Sequence, residues 1–273
     1  MRTIIAPVDF STVSENASLY AAQLAVNIKA DLVLLHIMEL PLAVAEYPVT
    51  ESVFDEAGIE KELETLKTKL LAAVNNKISI RTKNILGSTG HQIKELCKTE
   101  RPFAVVIATH SSSVLDRFFL GSTTVYSAKH LRYPVIVVPH NAKYQTIKKI
   151  ALATDLKGVY DVPAEEIESI VRLFNAELEV FHAAKNENVI NRNSVDNLLL
   201  DHRLLTLSPR FHVVKNKDIM RGITDLAKEY NIDLLIIIPK KHGPFHKSQS
   251  KDFIFYTDVP LMAIHENDLV PKS

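Results

Sequence analysis

Short, nearly uninterrupted apolar runs alternate with amphipathic segments along the whole chain. In the first half these runs are RTIIAPVDF, ADLVLLHIME, FAVVIA and YPVIVVP, and KISIRTKNIL alternates apolar and polar residues as a strand does. The segments between them repeat their apolar residues at helical spacing. Strands that alternate with helices form parallel sheets, and strands this apolar are covered by helices on both faces. The pattern therefore predicts an α/β fold built on a five-stranded parallel sheet.

The same order of strands and helices is repeated in the second half. Asp9 and His36 recur 146 residues later as Asp155 and His182, and the offset falls to 130 and then to 126 towards the end of the chain. A falling offset indicates deletions in the second copy. We therefore predict two tandem domains, residues 1–141 and 146–273, joined by the polar stretch HNAKYQTIK.

The balance of charge narrows the classes of partner. Lysine plus arginine and aspartate plus glutamate each number 32, so the chain lacks the broad positive field that favours nucleic acids or anionic membranes. No apolar run approaches the roughly 20 residues that span a bilayer, and the first run is too short for a signal peptide. We therefore expect a cytoplasmic protein that binds neither nucleic acid nor membrane. The single cysteine, Cys97, is expected to be a core thiol.

Candidate ligand groups follow the strands whose carboxyl ends share one edge of the predicted sheet. Asp9 ends the first strand, Ile37 the second and Ala108 the fourth, and ligands of open parallel sheets bind beyond such ends. The Asp9 carboxylate is able to accept hydrogen bonds from a ribose hydroxyl or an adenine amine. With Ser11 and Ser14 it equally suits the cap of the following helix. The residues alone leave both interpretations open.

The loop THSSSVLDRFFLGSTT carries Gly121 and Ser122 at a predicted helix start. Backbone amides at a helix start point outwards with the positive end of the helix dipole, and they favour phosphate groups. Ser122 is equally well explained as an ordinary N-cap.

Other residue patterns give no support for catalysis or for a metal site. There is no Gly-x-Ser-x-Gly elbow, no zinc spacing and no Walker-type loop. His242 and His246 flank Pro244, which breaks the helix that ligation by both would need, so we interpret KKHGPFHK as a solvated basic loop. His36 and His182 lie inside apolar strands, where one ring nitrogen is expected to bond to the backbone.

Several quoted segments together resemble the universal stress protein family: IIAPVDFS, LVLLHIME, FAVVIATH and LGSTTVYSAKHLRYPVIVV in the first half. The second half is similar in a more degenerate form, in IALATD, LEVFHAA and VPLMAI. The resemblance implies two tandem five-stranded parallel α/β sandwich domains of the adenine nucleotide alpha-hydrolase-like type. It also implies dimers formed through the last strand, ATP binding in some members, and a role in stress tolerance and regulation.

The resemblance also implies which residues would hold a nucleotide. The family signature is Gly, two residues, Gly, nine residues, Gly and then Ser or Thr, and aligning its end with Gly121 and Ser122 places Ala108 and Ser111 on the first two glycines. Each lost glycine that requires a positive φ costs roughly 1–2 kcal/mol, so two losses would weaken binding by about 10 to 1,000-fold. The implied nucleotide-binding residues are Pro7, Val8, Asp9, Ile37, Ala108, Ser111, Gly121, Ser122, Thr123 and Thr124.

The leading hypothesis is a stress-response binding or regulatory module that holds ATP or another adenine nucleotide in its first half. Lys247 replaces the signature glycine in the second half, so that half is expected to be empty, and no metal is expected beyond Mg²⁺ that accompanies a nucleotide. The alternatives are a slow nucleotide hydrolase that uses Asp9 with Gly121 and Ser122, and a nucleotide-free interaction protein.

The last strand of each half is an apolar edge, which needs a partner strand to cover it. We therefore predict an intramolecular pseudo-dimer in which residues 135–138 pair antiparallel with residues 261–264. A homodimer through edge strands is a further expectation.

Overall fold

The computed structural model describes residues 2–39, 55–109, 131–154, 162–183, 202–214, 218–239 and 258–265. The elements of the first half are β1 (Arg2–Pro7), α1 (Thr12–Ile28), β2 (Ala30–Met38), α2 (Glu56–Ala73), β3 (Ile80–Leu86), α3 (Thr89–Glu100), β4 (Ala104–Ala108) and β5 (Val135–Val138). Those of the second half are β6 (Lys149–Thr154), α4 (Ala164–Phe174), β7 (Glu177–Ala183), α5 (His202–Leu205), β8 (Arg210–Val214), α6 (Ile219–Glu229), β9 (Leu234–Ile237) and β10 (Leu261–Ala263). This order matches the prediction. The helix predicted between β4 and β5 falls within 110–130, outside the described residues.

The ten strands of the described residues form one sheet in the order β3-β2-β1-β4-β5-β10-β9-β6-β7-β8. Neighbouring strands are parallel within each half, and only the central pair of β5 and β10 is antiparallel. The strand order of the second half is therefore the mirror of the first. This confirms the predicted α/β fold with two five-stranded parallel units.

The central pair joins the two units through the two strands that the sequence predicts. Val137 pairs with Leu261, and Ile136 pairs with Met262. All four side chains are at most 1 % exposed. The predicted antiparallel pairing of these two strands is thus confirmed, over residues 135–137 and 261–263, and neither apolar strand is left as an open edge.

Each face of the sheet has its own apolar core, and each core extends through both halves. Side chains alternate between the faces: Ile4 belongs to the core that includes buried residues of α1, α2, α4 and α5, whereas Ile5 belongs to the core that includes buried residues of α3 and α6. Cys97 of α3 is fully buried, and burial raises the pKa of its thiol to about 12. This confirms the predicted core thiol. Among the described helices, none has the length and hydropathy that a membrane span requires.

The predicted linker lies against both halves. Asn16 of α1 donates a hydrogen bond from its side chain to the Ala142 carbonyl at 3.0 Å, and the rings of Tyr20 and Tyr144 lie 5.2 Å apart. At the other end, the Asp233 carboxylate accepts hydrogen bonds from the two amides that lead into β6, at 2.8 and 2.9 Å. The exact division into residues 1–141 and 146–273 stays a prediction.

The outer strands of the two halves carry equivalent cations with differently placed carboxylates. In the first half, Arg81 of β3 pairs with Glu100 at the end of α3, at 2.8 Å. In the second half, Arg210 of β8 pairs with Glu179, a fully buried residue of the neighbouring strand. At the offset of 130, Tyr230 is the counterpart of Glu100. The carboxylate has therefore moved from the helix to the strand in the second copy.

Candidate functional site

The strand order reverses between β1 and β4, which makes their carboxyl ends the expected ligand position. From β1 the chain passes to β2 and β3 on one side and then returns to β4 on the other. Ligands of open α/β sheets bind in the crevice at such a switch point. The residues found there are Pro7 at the end of β1 with Val8 and Asp9 after it, and Ala108 at the end of β4 with Thr109 after it.

Asp9 organises the start of α1. Its Oδ1 accepts hydrogen bonds from the Ser11 amide at 3.0 Å and from the Ser11 hydroxyl at 2.5 Å. Ser11 is the N-cap, and its Oγ accepts a hydrogen bond from the Ser14 amide at 3.3 Å. The Asp9 amide in turn donates to the Ser14 hydroxyl at 3.3 Å. The capping interpretation of Asp9 is thus confirmed, and its carboxylate is held in one position at the sheet edge.

A ring stack fixes the same turn from the side of β2. The His36 ring bonds to the Val8 carbonyl through Nδ1 at 2.9 Å, as expected for a histidine packed in a strand. The rings of Phe10 and His36 stack with centroids 4.8 Å apart. Phe10 has φ of 60°, a left-handed conformation that costs roughly 1–2 kcal/mol for a residue with a side chain. The stack with His36 therefore holds a turn that the backbone alone disfavours. The sequence analysis missed this role of Phe10.

The residues on the other side of the crevice are ordinary strand residues. Ala108 pairs with Val138 of β5, and the next amide, that of Thr109, donates to the Val138 carbonyl at 3.0 Å. Ala108 is not among the residues with positive φ. The backbone penalty that we allowed for a lost glycine therefore does not apply at Ala108. Ile37 is partly buried and packs on the α3 face of the sheet.

The remaining predicted site residues lie outside the described part of the chain. These residues are Ser111, Gly121, Ser122, Thr123 and Thr124, and the same holds for Asp155 and Lys247 in the second half. The structure thus places Pro7, Val8, Asp9, Ile37 and Ala108 near the carboxyl ends of β1, β2 and β4, and the binding of a nucleotide by these residues and by the phosphate side stays a prediction.

Each described helix of the first half already has a carboxylate at its N-terminus. Asp9 serves α1 as described, and Asp55 accepts a hydrogen bond from the Gly58 amide of α2 at 2.9 Å. Glu39, which follows β2, accepts hydrogen bonds from the amide and the hydroxyl of Thr89 in α3. These bonds lower the pKa of the Glu39 carboxyl. Side-chain anions therefore occupy the positions where a helix dipole attracts an anion.

No group of three or more histidine, cysteine or acidic residues able to hold a metal ion occurs within the described ranges.

Comparisons with known proteins agree with this architecture. The family model described as Universal stress protein family matches residues 1–139, about half of the chain. A universal stress protein structure from Archaeoglobus fulgidus DSM 4304 is 14% identical, with a TM-score of 0.70, and the match covers 97% of each chain. A functionally unknown protein from Pseudomonas aeruginosa PAO1 is 12% identical, with a TM-score of 0.60, over 98% of this chain and 94% of that one. At these identities the likeness shows the fold, over both halves. No curated protein matches the chain.

Proposed function

Because the chain belongs to the universal stress protein family, we propose that it is a stress-response binding and regulatory module that holds one adenine nucleotide in its first half. The observation that carries this proposal is the arrangement at the switch point. There the ordered turn that presents Asp9 lies beside the end of β4 at Ala108. A cytoplasmic location, and self-association with a second copy, stay predictions from the sequence.

The turn after β1 suits the adenosine part of a nucleotide. The Asp9 carboxylate is exposed just after β1, and carboxylate oxygens accept hydrogen bonds from ribose hydroxyls or an adenine amine. The turn is also fixed by the stack of Phe10 on His36. A preorganised acceptor loses little conformational freedom when a ligand binds, which favours affinity.

The segment at Gly121 and Ser122 suits the phosphate part. The N-termini of α1, α2 and α3 carry Asp9, Asp55 and Glu39, which would repel a phosphate group. The predicted helix start at Gly121 has no acidic residue within three positions on either side. We therefore assign the phosphates to residues 121–124, with Mg²⁺ as the only metal that would accompany them.

The second half lacks the corresponding features. Lys247 stands in place of the signature glycine, and the preceding loop is four residues shorter than in the first half, as the fall of the offset from 130 to 126 indicates. We therefore assign the second half the role of structural partner, without a nucleotide of its own.

Isothermal titration of ATP with Mg²⁺ into the full chain tests the site. Gly121→Trp should abolish binding, because a bulky side chain would fill the phosphate position. Lys247→Trp is the matched control at the equivalent position of the second half, and it should leave the affinity unchanged. Equal affinities of the wild type and Gly121→Trp would refute the placement, and a loss of binding in Lys247→Trp alone would move the site to the second half.

Phosphate release over several hours separates the binding module from a slow hydrolase. We expect bound nucleotide without turnover. Asp9→Asn keeps an oxygen that accepts from Ser11 and removes the negative charge, so turnover that disappears in this variant would instead support the hydrolase. If neither the purified protein nor the titration shows any nucleotide, the chain is a nucleotide-free interaction protein.

A further inference from the structure

The central hydrogen-bond ladders of the two halves end at different positions. β1 and β4 pair at two positions, the second of which joins Ile5 and Val105, although both strands continue beyond them. β6 and β9 pair at four positions, and the last joins Ala153 and Ile237. At the offset of 146, Ala153 is the counterpart of Pro7. The second half thus continues its ladder where the first half stops.

The direction of the backbone groups explains the difference. The Val8 amide donates to the Leu35 carbonyl of β2 at 2.8 Å. Successive residues of a strand direct their backbone groups to opposite neighbours, so residue 7 faces β4. In agreement, the carbonyl of Thr3, which faces the same way as residue 7, accepts a hydrogen bond from the Phe103 amide beside β4 at 2.7 Å.

At the register that β1 and β4 share, the next hydrogen bond would run from the amide of residue 7 to the carbonyl of Val106. Pro7 has no amide hydrogen, and a ring carbon occupies that place. Ala153 has the amide, and its acceptor at the equivalent position is the carbonyl of Ile236. A single residue type therefore decides whether the last bond of each central ladder forms.

We infer that Pro7 is a positioning residue that keeps the switch point of the first half open for a ligand, whereas Ala153 keeps that of the second half closed. The missing bond lies beside the crevice in which a ligand of this fold binds, and the Val106 carbonyl is left there without its ladder donor. This inference rests on the proposed nucleotide site. It gives a reason for one-sided binding that is independent of Lys247 and of the loop lengths.

Reciprocal substitutions in the full chain test the inference. In Pro7→Ala, the new amide at position 7 should exchange with solvent at least about 100-fold more slowly than an exposed amide. Its ATP affinity should fall about tenfold, which corresponds to 1.4 kcal/mol, with no loss of resistance to urea. Lower affinity without lower stability is a result that a purely structural role of Pro7 would not produce.

Ala153→Pro is the matched control, because it removes the equivalent bond from the half that is assigned no nucleotide. It should lower the resistance of the chain to urea and leave ATP affinity within about twofold of the wild type. A drop in affinity as large as that of Pro7→Ala would mean that any weakening of the sheet impairs binding, and the inference would be wrong.

Two further outcomes overturn the inference while the nucleotide site itself stands. One is a rapidly exchanging amide at position 7 in Pro7→Ala, which would show that the ladder does not extend. The other is a protected amide together with unchanged ATP affinity. If the wild type binds no ATP, or if Gly121→Trp binds ATP as tightly as the wild type does, the proposed function fails and the ligand part of the inference fails with it.

Discussion

A carboxylate introduced at Val137 should unfold the two halves together. Val137 is 1 % exposed and pairs with Ile107 on one side and with Leu261 of the other half on the second. Val137→Asp loses about 1.5–3 kcal/mol of apolar burial, and the buried carboxylate costs several kcal/mol more. A total of about 5 kcal/mol or more is comparable with the whole stability of a small domain, about 5–15 kcal/mol. Because both halves share the damaged strand pair, both halves should lose stability at once.

Hydrogen exchange measured by mass spectrometry checks this, with β2 and β7 as probes of the two halves. Their peptides should lose protection by the same factor in Val137→Asp. The matched control is Ile85→Asp in the outer strand β3, where Ile85 packs on the same face of the sheet, far from the central pair in strand order. That variant should affect β2 more than β7. A response confined to the first half in Val137→Asp would refute the reasoning, as would fragments 1–141 and 146–273 that are each as stable as the whole chain.

Three further predictions concern charges and glycines. The Arg81 and Lys83 cations hold the pKa of Glu100 at about 2 instead of 4.5, so these ion pairs stabilise the protein above about pH 4.5 and their contribution is lost as the pH falls towards 2. In urea titrations, Glu100→Gln should lower the free energy of unfolding by about 1–2 kcal/mol at pH 7, after allowance for screening, and this loss should vanish over that pH range. A loss that stays constant with pH would contradict the prediction. Glu179→Val should destabilise the protein by about 1–2 kcal/mol, and adding Tyr230→Glu should recover at least half of this by restoring the layout of the first half, whereas purely additive losses would contradict the equivalence. In calorimetry, Ala108→Gly should leave ATP affinity unchanged because the backbone there is ordinary strand, whereas Ser111→Gly should tighten binding about tenfold; the opposite ranking would refute the assignment.

The fold was predictable from the sequence because strands that are buried on both faces of a sheet consist almost entirely of apolar residues. Strands such as FAVVIA are apolar throughout, and the second copy repeats the order of the first. The pairing of 135–138 with 261–264 was predictable for the same reason, since two apolar edges in one chain cover each other most simply.

The site was only partly predictable. The cap formed by Asp9 and Ser11 follows from local residue types. The left-handed Phe10 does not, because its conformation depends on His36, which is 26 residues away in the chain. The regular strand conformation of Ala108 likewise depends on pairing with β5. The interrupted ladder did leave a signal, since proline and alanine stand at equivalent positions of the two copies, but the signal acquires meaning only once the strand neighbours are known.

The pairing of β5 with β10 inside one polypeptide also affects how the two halves diverge. When identical chains associate, every substitution appears in both subunits, and the pairing depends on protein concentration. Here the linker supplies the partner strand at an effective concentration in the millimolar range, whatever the abundance of the protein. The second half can therefore accumulate changes of its own, such as Lys247, while its last strand still covers that of the first half. Under the proposed function, selection on ligand binding acts on the first half, whereas selection on assembly acts on the last strand of each half.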